Sequence, residues 1–165
     1  MPKVVPAEEL AVHLTDYAAL DLVATDVQAR DKQDLLARLV DLLVQSGRVR
    51  DSETLMHELL KREAVMSTGI GGGIAIPHAL TNDIENLVIV FGRPEHPIDF
   101  QALDDNPVDL VFMLVGPKGA ASLYVKLLAR VSRLLQNEGF KDRLRQAQSA
   151  DEVMEAFRAE TEYAA

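Results

Sequence analysis

From Asp31 to Ser46 the apolar residues fall at Leu35, Leu36, Leu39, Val40, Leu42 and Leu43, the spacing of a helix with one buried stripe. Gly47 follows where such a helix would stop. A second helix opens at Asp51-Ser52-Glu53-Thr54, where Asp51 suits the free N–H groups of a first turn. Leu55, Met56, Leu59 and Leu60 make its apolar face, and the pattern gives out near Arg62–Val65. Leu87–Phe91 and Val108–Val115 are dense in β-branched and apolar residues and predict strands. Between them, Arg93-Pro94-Glu95-His96-Pro97 and Asp104-Asp105-Asn106-Pro107 are loop chemistry. The short apolar run Ala18–Ala24 predicts a further strand, and Ile74 and Ile76 alternate towards Pro77 as a strand that the proline ends or marks as an edge. Leu123 to Gln136 is amphipathic with a helical period, and two shorter helices, about Phe140–Gln148 and Asp151–Thr161, follow, the last capped by Ser149 or Asp151. Near the start, Pro6-Ala7-Glu8-Glu9-Leu10 suits the opening of a short helix.

Helices around three to five short strands make an α/β fold, expected as a compact single domain with a mixed β-sheet flanked by helices. The sheet is expected to be mixed because no crossover helix separates Leu87–Phe91 from Val108–Val115. Residues 1–16 read as an N-terminal lead-in and 17–165 as the domain.

Composition narrows the class. The chain has 165 residues, 48% of them hydrophobic, which is ample for a core, but only 5% aromatic with no Trp, so the core must be largely aliphatic. Seventeen Lys+Arg against 26 Asp+Glu give a net charge of -9. A nucleic-acid partner, which needs clustered positive charge, is not expected. The absence of Cys excludes disulfides, thiolate metal sites and cysteine nucleophiles. The N-terminus lacks the apolar core of a signal peptide and no apolar run reaches membrane-spanning length, so a cytoplasmic protein without membrane insertion is expected.

Of the four histidines, His13, His57 and His96 read as surface or loop residues, and no pair has metal-ligand spacing on a helix, so no metal is expected. No cofactor is expected either: the glycine-rich stretch has neither the Gly-Lys-Ser/Thr ending of a Walker loop nor the form of a dinucleotide fingerprint. His78 differs. It follows a strand-like run and Pro77, downstream of Gly69, Gly71, Gly72 and Gly73. Such glycines either make a tight connection or turn backbone N–H groups into an anion-binding concavity. In the second case His78 would be a nucleophile aimed at a phosphoryl group, with Gly71, Gly72 and Gly73 supporting its oxygens.

The stretch from Glu63 to Ala79, ending Ile-Gly-Gly-Gly-Ile-Ala-Ile-Pro-His-Ala, resembles the active-site signature of the type-2 EIIA domains of the bacterial phosphotransferase system, the fructose/mannitol and nitrogen-related EIIA proteins. Gln101–Val115 looks like the family's second core strand with its leading turn, the helix around Leu127–Leu135 fits, and the resemblance runs over about residues 17–160. It implies a phosphocarrier, a phosphotransferase component working through a phosphohistidine. His78 would accept a phosphoryl group from an HPr-like protein and pass it to an EIIB domain, or use it as a signal to regulatory targets such as a kinase or transporter. Without an EIIB or EIIC segment the chain is compatible with the stand-alone, nitrogen-related branch. A stand-alone sugar-specific EIIA and a docking regulator that transfers nothing are the alternatives. Arg62 matches the family's active-site arginine, and its planar charged fork suits phosphoryl oxygens. Ser67 and Thr68 would add hydroxyl donors or merely cap the turn. Where many members carry a second histidine, this chain has Tyr124, which donates a hydrogen bond but carries no charge near neutral pH.

Overall fold

The computed structural model describes residues 12–163; the short helix expected at Pro6–Leu10 lies outside them. Among the described residues five α-helices and six strands follow in this order: β1 (Val23–Val27), α1 (Lys32–Gln45), α2 (Ser52–Val65), β2 (Gly69–Gly71), β3 (Ile74–Ala75), β4 (His78–Leu80), β5 (Val88–Pro94), β6 (Leu110–Gly116), α3 (Ala121–Leu134), α4 (Glu138–Gln146) and α5 (Ala150–Arg158). Four helices start on the side chains their sequences offer. Asp31 accepts from Asp34 N at 2.8 Å, Asp51 from Thr54 N at 3.0 Å, Asn137 from Phe140 N at 3.1 Å and Ser149 from Glu152 N at 3.2 Å. Gly47 turns the chain out of α1 with φ +78°, a conformation glycine adopts without a Cβ clash.

The strands form one mixed sheet in the order β1-β5-β6-β3-β2, with β4 also pairing with β6. β5 and β6 are antiparallel neighbours, as the loop between them requires, whereas β1 pairs with β5 in parallel and β3 and β4 pair in succession along β6 in parallel. β6 is apolar throughout, and β5 is apolar from Val88 to Phe91, because both faces of the sheet are covered there. On one face Val88, Val90, Val111, Met113 and Val115 meet Leu35, Leu36, Leu39 and Leu43 of α1 and Leu55 and Leu59 of α2. On the other, Ile89, Phe91, Leu110, Phe112 and Leu114 meet α3, α4 and α5. Phe91, Phe112 and Phe157 cluster there at centroid separations of 5.2, 5.8 and 6.0 Å. Among the described residues no helix is long and apolar enough to cross a membrane.

The structure departs from the expected elements in three places. Residues Leu20–Leu22 of the apolar run form a turn of 3-10 helix, and the strand begins only at Val23, where pairing with Phe91 begins. The glycine-rich stretch breaks into three short strands, bringing the total to six: the chain reverses between β2 and β3, and Pro77, which has no N–H to donate, separates β3 from β4. His78 consequently opens a strand instead of sitting in a loop. Packing also reaches upstream of Tyr17, because Leu14 is fully buried and Glu160 accepts both its N–H (2.8 Å) and a bond from His13 Nδ1 (2.7 Å).

Removing the ring at the centre of the aromatic cluster should be costly. Phe112→Ala is expected to lower unfolding free energy by about 3–5 kcal/mol, measured by denaturant titration.

Candidate active site

Pro77 holds its own φ near that of extended chain and keeps Ile76 extended, so the carbonyl of Ile76 and the ring of His78 are set relative to one another. The His78 Nδ1 lies 2.8 Å from Ile76 O. A carbonyl can only accept, so Nδ1 carries the proton and Nε2 presents a lone pair. Into that lone pair Arg62 donates its Nε–H, at 3.0 Å. Both bonds belong to one neutral tautomer; a proton on Nε2 would face the guanidinium N–H head-on. Burial is the main cause holding the His78 pKa below its ordinary value. The bond to Ile76 opposes it, the Arg62 charge pushes further down, and the Glu63 carboxylate pushes weakly up.

Arg62 stands in the last turn of α2, where a cation meets the helix's unpaired carbonyls favourably, and a second guanidinium nitrogen, Nη1, donates to Met66 O at 2.8 Å. Its neighbour Glu63 points inward and is buried. Lys32 Nζ lies 2.6 Å from one oxygen of Glu63, and Thr68 donates to that carboxylate through both its N–H (3.1 Å) and its hydroxyl. The Lys32 ammonium also reaches Phe100 O at 3.3 Å and lies 4.6 Å from the centroid of its ring. These contacts tie the end of α2 to the start of the glycine-rich segment and so hold Arg62 opposite His78.

Tyr124, in the first turn of α3, completes the group, its ring centroid 5.4 Å from that of His78. Burial pushes its hydroxyl up to about 12, with Arg62 opposing, so it stays a neutral phenol. It is 9% exposed and its hydroxyl has no hydrogen-bond partner among the described residues.

His78, Arg62 and Tyr124 share an open depression of about 510 Å³, with Val65 and Leu80 on its walls and Lys61, Lys118 and Glu58 as its other charged residues. In a chain of net charge -9, the depression carries three permanent cations against one carboxylate. Neither lysine forms an ion pair among the described residues, whereas Lys32 and Lys141 do. The arrangement has the parts needed to hold an anion against a neutral imidazole nitrogen.

The other residues singled out in the sequence lie elsewhere. Gly71, Gly72 and Gly73 form the β2–β3 turn with φ of 95°, 66° and 82°. Their surroundings are Asp104, Lys141, Asp109 and Arg145, and the Gly72 N–H is taken by Asp104 Oδ2 at 3.0 Å. That turn joins β6 at Leu110 and His78 joins it at Leu114, four residues on, or roughly 13 Å at ~3.3 Å per residue. The glycines therefore cup no group bound to His78, correcting the expectation of a backbone nest there. Ser67 donates to Phe100 O at 2.7 Å and accepts from Gly69 N at 3.1 Å, and Thr68 is buried on Glu63, so both brace the turn. Lys61, Lys118 and Glu58 escaped the sequence reading because only the fold brings the end of α2 and the β6–α3 connection to one depression.

The model of the family described as "Phosphoenolpyruvate-dependent sugar phosphotransferase system, EIIA 2" matches residues 17–160. A "PTS system fructose-specific EIIA component" of Haloferax volcanii is 34% identical over 87% of this chain and 94% of its own length. A "Nitrogen regulatory protein" of Bradyrhizobium diazoefficiens is 34% identical over 85% of this chain and 91% of its own. The chain spans 22% of the length of another relative, the "PTS system fructose-specific EIIABC component" of Bacillus subtilis. Among solved structures, the nitrogen regulatory protein IIA-Ntr of Neisseria meningitidis superposes with a TM-score of 0.80 at 26% identity, covering 86% of this chain and 97% of that one.

The imidazole gives a testable pH dependence. Because the folded pKa lies below the ordinary ~6.5, the unfolded chain takes up this proton first as pH falls. The residue's contribution to stability is complete above the ordinary value and is lost as pH falls through it towards the folded value. Nitrogen-15 NMR of the imidazole is expected to show the Nδ1–H tautomer at pH 7 and an inflection below 6.5; an inflection above it would contradict the geometry.

Proposed function

The chain belongs to the type-2 EIIA family of the phosphoenolpyruvate-dependent sugar phosphotransferase system, and from that premise we propose that it is a phosphocarrier whose covalent acceptor is His78 Nε2. The observation that carries the reading is the neutral ring itself: Nδ1–H on the Ile76 carbonyl, and the Nε2 lone pair on an open depression beside an arginine. The donor would be the phosphohistidine of an HPr-like protein. The lone pair of His78 Nε2 attacks phosphorus, the donor's N–P bond breaks, and its electron pair stays on the donor nitrogen. The positive charge carried by the donor's phosphoimidazolium ring passes to the ring of His78. There the retained Nδ1–H bond to Ile76 strengthens, a cation being the better donor. Its lowered pKa keeps His78 an unprotonated nucleophile at neutral pH.

Arg62 Nε occupies the position into which phosphorus must come. In the transfer it moves from the nitrogen to the phosphoryl oxygens, where charge is greatest. The Tyr124 hydroxyl, neutral and without a partner, is a second donor to those oxygens, taking the place of the additional histidine of many members. From His78 the phosphoryl group passes to an EIIB domain or serves as a signal to a regulated kinase or transporter. The likeness to IIA-Ntr favours the nitrogen-related, regulatory branch.

Incubation with phosphoenolpyruvate, the general phosphotransferase enzyme and an HPr-like protein is expected to place acid-labile phosphate on the chain and none on His78→Ala; labelling of that variant would exclude His78 as acceptor. Arg62→Gln is expected to slow transfer by about 10²-fold or more, the usual cost of removing one transition-state donor. Tyr124→Phe should slow phosphorylation or shorten the phosphohistidine's lifetime, and unchanged kinetics would make Tyr124 a packing residue only.

A further inference from the structure

Arg62 reaches the depression from the end of α2, which leaves open what meets phosphoryl oxygens on the side of the β6–α3 connection. There the chain runs Gly116-Pro117-Lys118-Gly119-Ala120, and Lys118–Ala120 make one 3-10 turn leading straight into the fourteen-residue α3. Among the described residues no side chain caps α3, and its first turn contains no acidic residue, so no carboxylate there opposes the helix's positive end. A helix start alone marks nothing. Here two further observations point to an anion. Tyr124 in that first turn lines the same depression as His78, and its buried hydroxyl has no hydrogen-bond partner among the described residues. Lys118, on the same wall, forms no ion pair among the described residues of a chain with nine excess acidic groups.

We propose that Lys118 is a further phosphoryl-binding residue: its ammonium, near the positive end of α3 and sharing the depression with Tyr124, receives the non-bridging oxygens of the group on His78 from the side away from Arg62. The proposal rests on His78 being the phosphoryl acceptor and adds the residue that neutralises the dianion once it is bound. It makes Lys118 a stabiliser of the phosphorylated state. The unphosphorylated ring is already fixed by Ile76 and Arg62 and does not need it.

The test uses the full chain as wild type, Lys118→Gln and Lys118→Arg, each equilibrated with a phosphorylated HPr-like donor, with two readouts. The first is the equilibrium share of phosphate on His78. The second is the pH at which the phosphorus-31 resonance of the phosphohistidine reports the second phosphoryl ionisation. Lys118→Gln is expected to move the equilibrium towards the donor by about three- to tenfold, as for loss of one charge-assisted bond. It should also raise the phosphoryl ionisation, because a vanished cation no longer favours the dianion. Lys118→Arg should restore both, and the titration of the unphosphorylated imidazole should be the same in all three. A Lys118→Gln chain with wild-type equilibrium and ionisation would overturn the proposal while leaving His78 as acceptor. A wild type that takes no phosphate on His78 would overturn both.

Discussion

One hydrogen bond decides what the candidate site can do, the 2.8 Å contact between His78 Nδ1 and the carbonyl of Ile76. It places the proton, and with it the lone pair, on opposite edges of the ring. The bond depends on Pro77, which breaks the strand between Ala75 and His78 and keeps Ile76 extended, and on β6, to which both flanking strands pair. β6 in turn keeps its place because Leu110, Phe112 and Leu114 pack into one layer of helices while Val111, Met113 and Val115 pack into the other. A ring set by backbone on a doubly covered strand is held far more tightly than one on a surface loop, and repeated attack at one nitrogen needs that constancy.

Helices whose caps and periods agree were legible from the residues: Asp51 caps α2 as its position suggests, Ser149 is the one of two candidates that caps α5, and the apolar faces of α1 and α2 are the ones buried. The two central strands were legible for the same reason, since an unbroken apolar run with no helical length is what a strand covered on both faces requires. Leu20–Leu22 misled because an apolar run fixes neither burial nor pairing: Leu22 is buried but Leu20 is half exposed, and only the register with β5 shows that pairing begins at Val23. The glycines misled in a related way. Three consecutive positive φ values do need glycine, but they serve a tight reversal whose N–H is spent on Asp104, at the far end of β6 from His78. Composition tells that a turn is made and not where the fold carries it.

Within the site, His78 stood out by its place after the glycines and Pro77, whereas Arg62 and Tyr124 were picked out only through the resemblance to the EIIA family. Those that were not, Lys61, Lys118 and the Lys32–Glu63 pair, are ordinary charged residues whose importance is positional. Glu63 shows how this works. Buried with Lys32, Thr68 and the Phe100 ring around it, the carboxylate has every partner it needs, so it stays an anchor and is not a reactive group. Its energetic interest lies in what it fixes, the final turn of α2 and hence Arg62.

Charge acts on two scales in this molecule. The excess of acid over the whole chain, a net charge of -9, sets a long-range negative field that salt weakens. Inside the depression the sign is reversed, with Lys61, Arg62 and Lys118 against Glu58, and there the short-range field favours an anion. The proposed carrier role, which requires first meeting a partner and then receiving a phosphoryl group, would use both signs at different distances. The placement of Tyr124 fits the same logic. A second imidazole would change its charge near neutral pH, whereas a phenol pushed up to about 12 keeps the local field constant, leaving His78 as the imidazole of the site whose charge can vary.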